Sequence, residues 1–151
     1  MKIRVEQSEN PSEEIIIRCG SNADAELIRR AVADSLQKKE VLPLRLGRAE
    51  CFVPVSDILF FETQGDRVAA HTADSMYGAA FTLRELETVL PACFVKAGKS
   101  CIVNTAAVTS VERNLTGPSE ISFEYTYKKA YVSRKYYKEF VQKSRETRLK
   151  K

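Results

Sequence analysis

The sequence has one histidine, His71, in 151 residues. A lone histidine, with no nucleophile motif around it, gives general base or nucleophilic chemistry no support in the sequence pattern. Neither Gly-x-Gly-x-x-Gly nor Gly-x-x-x-x-Gly-Lys-Ser/Thr occurs. Gly98-Lys99-Ser100 looks like the end of a phosphate loop, but the upstream glycine is missing. The four cysteines, Cys19, Cys51, Cys93 and Cys101, form no Cys-x-x-Cys pair and stand far from His71, so the ligand spacing of a zinc site is absent. Each lies in or beside an apolar run, the setting of a buried, reduced thiol. No run of 18 apolar residues is present to span a bilayer. Met1-Lys2-Ile3-Arg4-Val5-Glu6 has no apolar signal core, so a cytoplasmic location is expected. His71 follows an alternating stretch and reads as a surface or packing histidine, and nothing pairs Glu62 with Asp66 as acid and base. The expectation is a protein without catalysis, cofactor, metal or small-molecule substrate.

What is present is ordinary globular material, 44% hydrophobic and 29% charged, sized for one domain or one domain with an appendage. The net charge of +4 hides a division. Residues 128–151 carry ten Lys/Arg against two acids, whereas the preceding 127 residues carry 14 bases and 18 acids. Concentrating cations at one end suits a polyanion-binding surface.

Along the chain, Lys2 to Gln7 alternates like a strand and Glu14 to Cys19 holds the buried-strand run Ile15-Ile16-Ile17. Ser21 and Asp24 have capping-box spacing before a helix running to about Lys39, with Leu27, Ile28, Ala31, Val32 and Leu36 on one face. Residues 1–40 thus read as a strand-strand-helix appendage, suited to dimerisation or signal input. From Leu42 the pattern changes to short strands. Gly47-Arg48 turns a hairpin, Ile58-Leu59-Phe60-Phe61 is an apolar strand, and Gln64-Gly65-Asp66 turns into a strand over Arg67 to Thr72. Met76 to Ala79 pairs back. Thr82 and Glu85 box a short helix whose buried side is Leu83, Leu86, Val89 and Leu90. Strands follow over Val108–Asn114 and Ile121–Tyr125. Ser133 reads as the N-cap of a final helix from Arg134 to about Arg145, burying Tyr137, Phe140 and Val141.

Between the short helix and these last strands lies Phe94-Val95-Lys96-Ala97-Gly98-Lys99-Ser100-Cys101-Ile102-Val103-Asn104, two apolar stretches around a cationic break. Thirty residues on stands Val132-Ser133-Arg134-Lys135-Tyr136. This ordered pair resembles the LytTR family of bacterial DNA-binding domains. The matching residues are Phe94, Ser100, Val103, Asn104, Val132, Ser133, Arg134 and Tyr136, supported by Ile58-Leu59-Phe60-Phe61-Glu62 and Leu83-Arg84-Glu85-Leu86. The resemblance spans Leu42 to Lys143. Gly98 stands where the family usually has histidine and Lys99 where it often has arginine. Lysine keeps the charge but lacks the planar fork that reads guanine bidentately.

The resemblance implies a mostly β fold (α+β overall), with antiparallel strands and short helices over residues 41–146, followed by a basic tail at 147–151. It implies sequence-specific binding of double-stranded DNA in transcription regulation, with loops entering the major groove. Carried over by position, the DNA contacts are Asp66 and Arg67 in one loop, Lys99 with Lys96 and Ser100 in a second, and Arg134 with Lys135 and Tyr136 in a third. Asn104 either touches DNA or caps the adjacent turn. Arg134 is the candidate for guanine readout and Lys99 for phosphate attraction. A homodimer on paired repeats is implied. So is a membrane-protein regulator, since stand-alone members are often encoded beside one. Two other readings stay open. Tyr131, Tyr136 and Tyr137 among cations could stack single-stranded RNA, or the chain could be a protein-interaction module that has lost DNA contacts.

Overall fold

A computed structural model describes residues 16–18, 20, 22–36 and 40–149. The chain divides into two units, Met1–Lys38 and Lys39–Lys151. In the first, α1 covers Asn22–Leu36. Glu26 accepts from Arg29 at 2.7 and 3.0 Å and from Arg30 at 3.1 Å. The Arg29 guanidinium above all holds the Glu26 carboxyl down at about 2. Ile28 and Val32 are half-buried, whereas Leu27, expected on the same apolar face, is exposed. Ile16–Arg18 form no strand and Ile16 and Ile17 are exposed, contrary to the buried strand expected over Glu14–Cys19. The expected strand over Lys2–Gln7 and the Ser21 cap lie outside the described residues.

The second unit is built on two antiparallel sheets. Its strands are β1 (Val41–Leu46), β2 (Ala49–Pro54), β3 (Phe60–Gln64), β4 (Arg67–His71), β5 (Met76–Ala79), β6 (Phe94–Gly98), β7 (Cys101–Asn104), β8 (Val108–Glu112), β9 (Ser119–Phe123) and β10 (Lys129–Val132). The larger sheet has the order β2-β1-β5-β4-β3-β7-β6 and the smaller β10-β9-β8. Helix α2 (Leu83–Val89) lies between β5 and β6, and α3 (Tyr137–Leu149) closes the unit.

Strand alternation makes both faces of the large sheet apolar. Phe60 pairs with Val103 and Phe61 with Ile102, so adjacent residues enter different cores. Phe61, Val68, Ala70 and Ile102 join Leu44, Ile58, Leu83 and Leu86 on the α2 side. Phe60, Val95, Ala97 and Val103 join Ile121, Phe123, Val132 and Phe140 from the small sheet and α3. The Thr82 capping box is complete in both directions, the hydroxyl accepting from Glu85 N–H and the Glu85 carboxylate from Thr82 N–H. Val89 is exposed rather than on the buried side of α2, and β3 begins at Phe60, two residues into its apolar run, which follows a 3-10 turn over Val55–Asp57. In the β9–β10 turn Tyr125 takes φ 58°, and it is 96% exposed instead of continuing β9. None of the described helices is long and apolar enough to cross a membrane.

One polar cluster sits between the sheets. His71, 8% exposed and stacked on Phe60 at 4.3 Å between centroids, makes a 2.8 Å Nε2 contact with Glu62 Oε1. Its Nδ1 faces Lys128 Nζ at 3.4 Å, and Lys128 also donates to the Ser75 carbonyl at 2.5 Å. An ammonium only donates, so Nδ1 accepts and Nε2 carries the proton. Burial lowers the His71 pKa, outweighing the Glu62 carboxylate, which raises it, while Lys128 lowers it further. The unfolded chain therefore takes up a proton near the ordinary value of about 6.5 while the folded chain does so only at lower pH. Stability is full above that value and falls as pH drops below it, until the folded His71 protonates too. Urea titrations between about pH 7 and 5 should show this fall in the wild type and a flatter course in His71→Gln; equal slopes would remove His71 as the cause. Cys101 lies opposite Glu62, and burial, with that carboxylate, pushes its thiol up to about 12. It is an inert thiol at neutral pH.

Candidate nucleic-acid interface

Three turns converge at one end of the second unit. Gly65 and Asp66 close the β3–β4 hairpin, where Gln64 pairs with Arg67 and Gly65 takes φ 64°. That left-handed conformation favours glycine. Lys99 and Ser100 close β6–β7, where Gly98 pairs with Cys101 after an irregularity at Lys96/Gly98. Ser133 to Tyr136 join β10 to α3. Backbone hydrogen bonds tie the turns to one another. Thr63 N–H donates to the Ser100 carbonyl at 2.9 Å, and Ser133 N–H to the Ala97 carbonyl at 2.8 Å. A side chain at Gly98 would meet Ser133 Oγ at 3.9 Å, ordinary contact, so the second and third turns are neighbours. The loop of residues 113–118 reaches the same end, because Glu112 pairs with Glu120 and Val132 with Ser119.

The charges at this end are left over rather than paired. Arg67, Lys99, Arg134 and Lys135 are exposed and make no ion pair among the described residues. Asp66 stands on the same turns, but the four cations outnumber it, and exposed guanidinium and ammonium groups held in no ion pair suit a polyanion. Among the described residues no three His, Cys, Asp or Glu side chains gather as a metal site would need.

The sequence profile of the LytTr DNA-binding domain matches residues 49–145. The chain belongs to that family. A solved LytTr DNA-binding domain, from a Bacillus cereus protein described as a methyl-accepting/DNA response regulator, is similar at 21% identity with a TM-score of 0.64. The match covers 70% of this chain and 96% of that one, and shows a common fold. No curated protein matches.

Within this LytTr domain the expected contact residues separate. Asp66, Arg67, Lys99, Ser100, Arg134 and Lys135 are exposed on the three turns. Contrary to the expected first helical turn, Arg134 lies in a turn that precedes the helix. Tyr136 N–H donates to the Ser133 carbonyl at 3.0 Å, and α3 begins only at Tyr137. Ser133 is therefore not the α3 N-cap. The helix instead runs on to Leu149, past the expected end. Tyr136 is half-buried against the core. Lys96 is turned away: it pairs with Glu87 of α2 at 3.6 Å. Alternation sets Val95 and Ala97 in the small-sheet core, and Lys96 takes the other face.

Asn104 is withdrawn from any interface. It is 3% exposed, Nδ2 donates to the Ile58 carbonyl at 3.0 Å, and Oδ1 accepts from Ala106 N–H at 3.1 Å, capping the 3-10 turn Thr105–Ala107. Both ends of its amide are in use. Tyr137 packs with the core, as its helical stripe suggested, and lies under Arg113, whose guanidinium carbon is 5.2 Å from the ring centroid. Sequence reasoning missed Arg113. A lone arginine after a strand carries no motif, and the only local signal was the turn-rich stretch that follows it.

Proposed function

We propose that this LytTr chain binds double-stranded DNA sequence-specifically and regulates transcription, its three linked turns entering the major groove. The observation that carries the reading is the hydrogen-bonded cluster of turns bearing Arg67, Lys99 and Arg134, all exposed and without carboxylate partners. Arg134 supplies a planar five-donor fork, the group that pairs bidentately with guanine O6 and N7. Lys99 and Arg67 supply phosphate attraction, and with it the salt dependence of binding. Lys135 adds to the same field. Single-stranded RNA is the weaker reading, because Tyr136 and Tyr137 are half-buried and pack on the core, leaving Tyr131 as the exposed ring of the three.

The test is selection of bound duplexes from a random library, at two salt concentrations, with wild type and Arg134→Ala. The wild type should enrich a motif. Arg134→Ala should lose preference at one position of it by roughly 10–100-fold, the value of one bidentate base contact. A homodimer would return that motif as a paired repeat and run at twice the chain mass in light scattering; a single half-site with a monomer mass overturns the dimer. If the wild type enriches nothing even at low salt, the DNA reading fails and a protein-interaction module takes its place.

A further inference from the structure

We infer that Arg113 is a fourth DNA contact, a phosphate clamp set beside the three turns and separate from base reading. The inference rests on the duplex reading above. Arg113 directly follows β8 and opens the loop that reaches the same end of the domain as Ser133 and Arg134. It is exposed and follows Glu112 in sequence, yet makes no ion pair among the described residues. The nearby Glu120 is engaged by Lys129 at 3.5 Å. The Arg113 guanidinium is held over the Tyr137 ring, a cation–π contact that leaves its charge uncompensated and its N–H donors available.

The loop is built to hold that position. Asn114 N–H donates to Ser119 Oγ at 2.9 Å, and Asn114 Oδ1 accepts from both the N–H and the hydroxyl of Thr116 at 3.0 Å. A Cβ on Gly117 would come within 3.3 Å of Asn114 Nδ2, so the loop is folded closely on itself. Tyr137 opens α3 directly after the Arg134 turn. Its ring therefore couples the place of Arg113 to that of Arg134. An arginine restrained by stacking loses little side-chain freedom on meeting a phosphate. A phosphate contact positions the duplex and carries no sequence information.

The experiment titrates the full chain with the duplex enriched by selection, across a series of salt concentrations, for wild type, Arg113→Ala, Arg113→Lys and Tyr137→Phe. Arg113→Ala should bind roughly 5–10-fold more weakly, with the slope of log K against log salt reduced by about 1 and the enriched motif unchanged. Arg113→Lys should restore the slope but not all of the affinity. Tyr137→Phe keeps the ring and should behave as wild type. An Arg113→Ala protein with wild-type affinity and slope, where Arg134→Ala still loses preference at its one position, overturns the clamp and leaves the duplex reading standing. Loss of the motif in Arg113→Ala also overturns it. A wild type that binds no duplex overturns both.

Discussion

Replacing Phe140 with alanine should destabilise the domain by about 3–5 kcal/mol, the range for a large aromatic removed from a packed core. Phe140 is fully buried in the core shared by the small sheet, α3 and one face of the large sheet. Its neighbours there, Val95, Ala97, Val132 and Ile121, come from strands of both sheets and cannot collapse into the space without moving a sheet. A domain of this size has only about 5–15 kcal/mol of net stability, so a large share of it would be lost. The effect should reach the interface. Phe140 N–H donates to the Tyr136 carbonyl and Tyr136 N–H to the Ser133 carbonyl, both at 3.0 Å, so the Arg134 turn is continuous with the packed helix. Urea unfolding measures the first effect, and duplex affinity under conditions where the variant remains folded measures the second. A loss below about 1 kcal/mol would mean that α3 does not depend on this side chain.

Asn104→Ala should cost about 2–4 kcal/mol, without any direct effect on DNA contacts. The substitution leaves the buried Ile58 carbonyl without its partner, at about 1–3 kcal/mol, and removes the cap from the Ala106 N–H, at about 0.5–2 kcal/mol. Asn104→Asp keeps an acceptor for Ala106 but faces the Ile58 carbonyl with a second oxygen and buries a charge, so at neutral pH it should be no better than alanine. The salt slope of duplex binding should be unchanged in folded Asn104→Ala, because the side chain is neutral and enclosed. A variant of wild-type stability that binds DNA poorly would return Asn104 to the interface.

These two residues mark where the sequence could and could not be read. The β1–β2 and β3–β4 hairpins, with Gly47 at φ 61° and Gly65 at φ 64°, and the Thr82 capping box depend on neighbours a few positions away, and local pattern identifies them. Phe140 is legible for the same reason, through its helical stripe. Asn104 is legible only in part: its cap on the adjacent turn is local, as one of its two sequence readings has it, whereas its other partner, Ile58, lies 46 residues away. The start of α3 falls later than the sequence suggests: Ser133 has the chemistry of an N-cap, but the chain closes a separate turn there, Tyr136 N–H donating to the Ser133 carbonyl, before the helix begins at Tyr137. The partners of Glu62 and Lys128 are hidden likewise: His71 meets the first across β3–β4 and the second from the connection between β9 and β10. Of the candidate interface, the cationic turns could be named from the sequence. That Lys96 is drawn off by Glu87, and that Arg113 arrives beside Tyr137, required the fold.

The hydrogen bonds from Thr63 to Ser100 and from Ser133 to Ala97 have a mechanical consequence. Turns fastened to one another at the backbone cannot adjust their spacing independently, and the freedom they would lose on meeting a ligand is already lost on folding. On the proposed function, any mismatch between that fixed spacing and a straight duplex falls on the nucleic acid. Bending and groove widening depend on the base steps that are deformed. Positions that no side chain reaches would then enter the recognition sequence through their flexibility, and the protein would act as a rigid gauge against which duplex stiffness is measured.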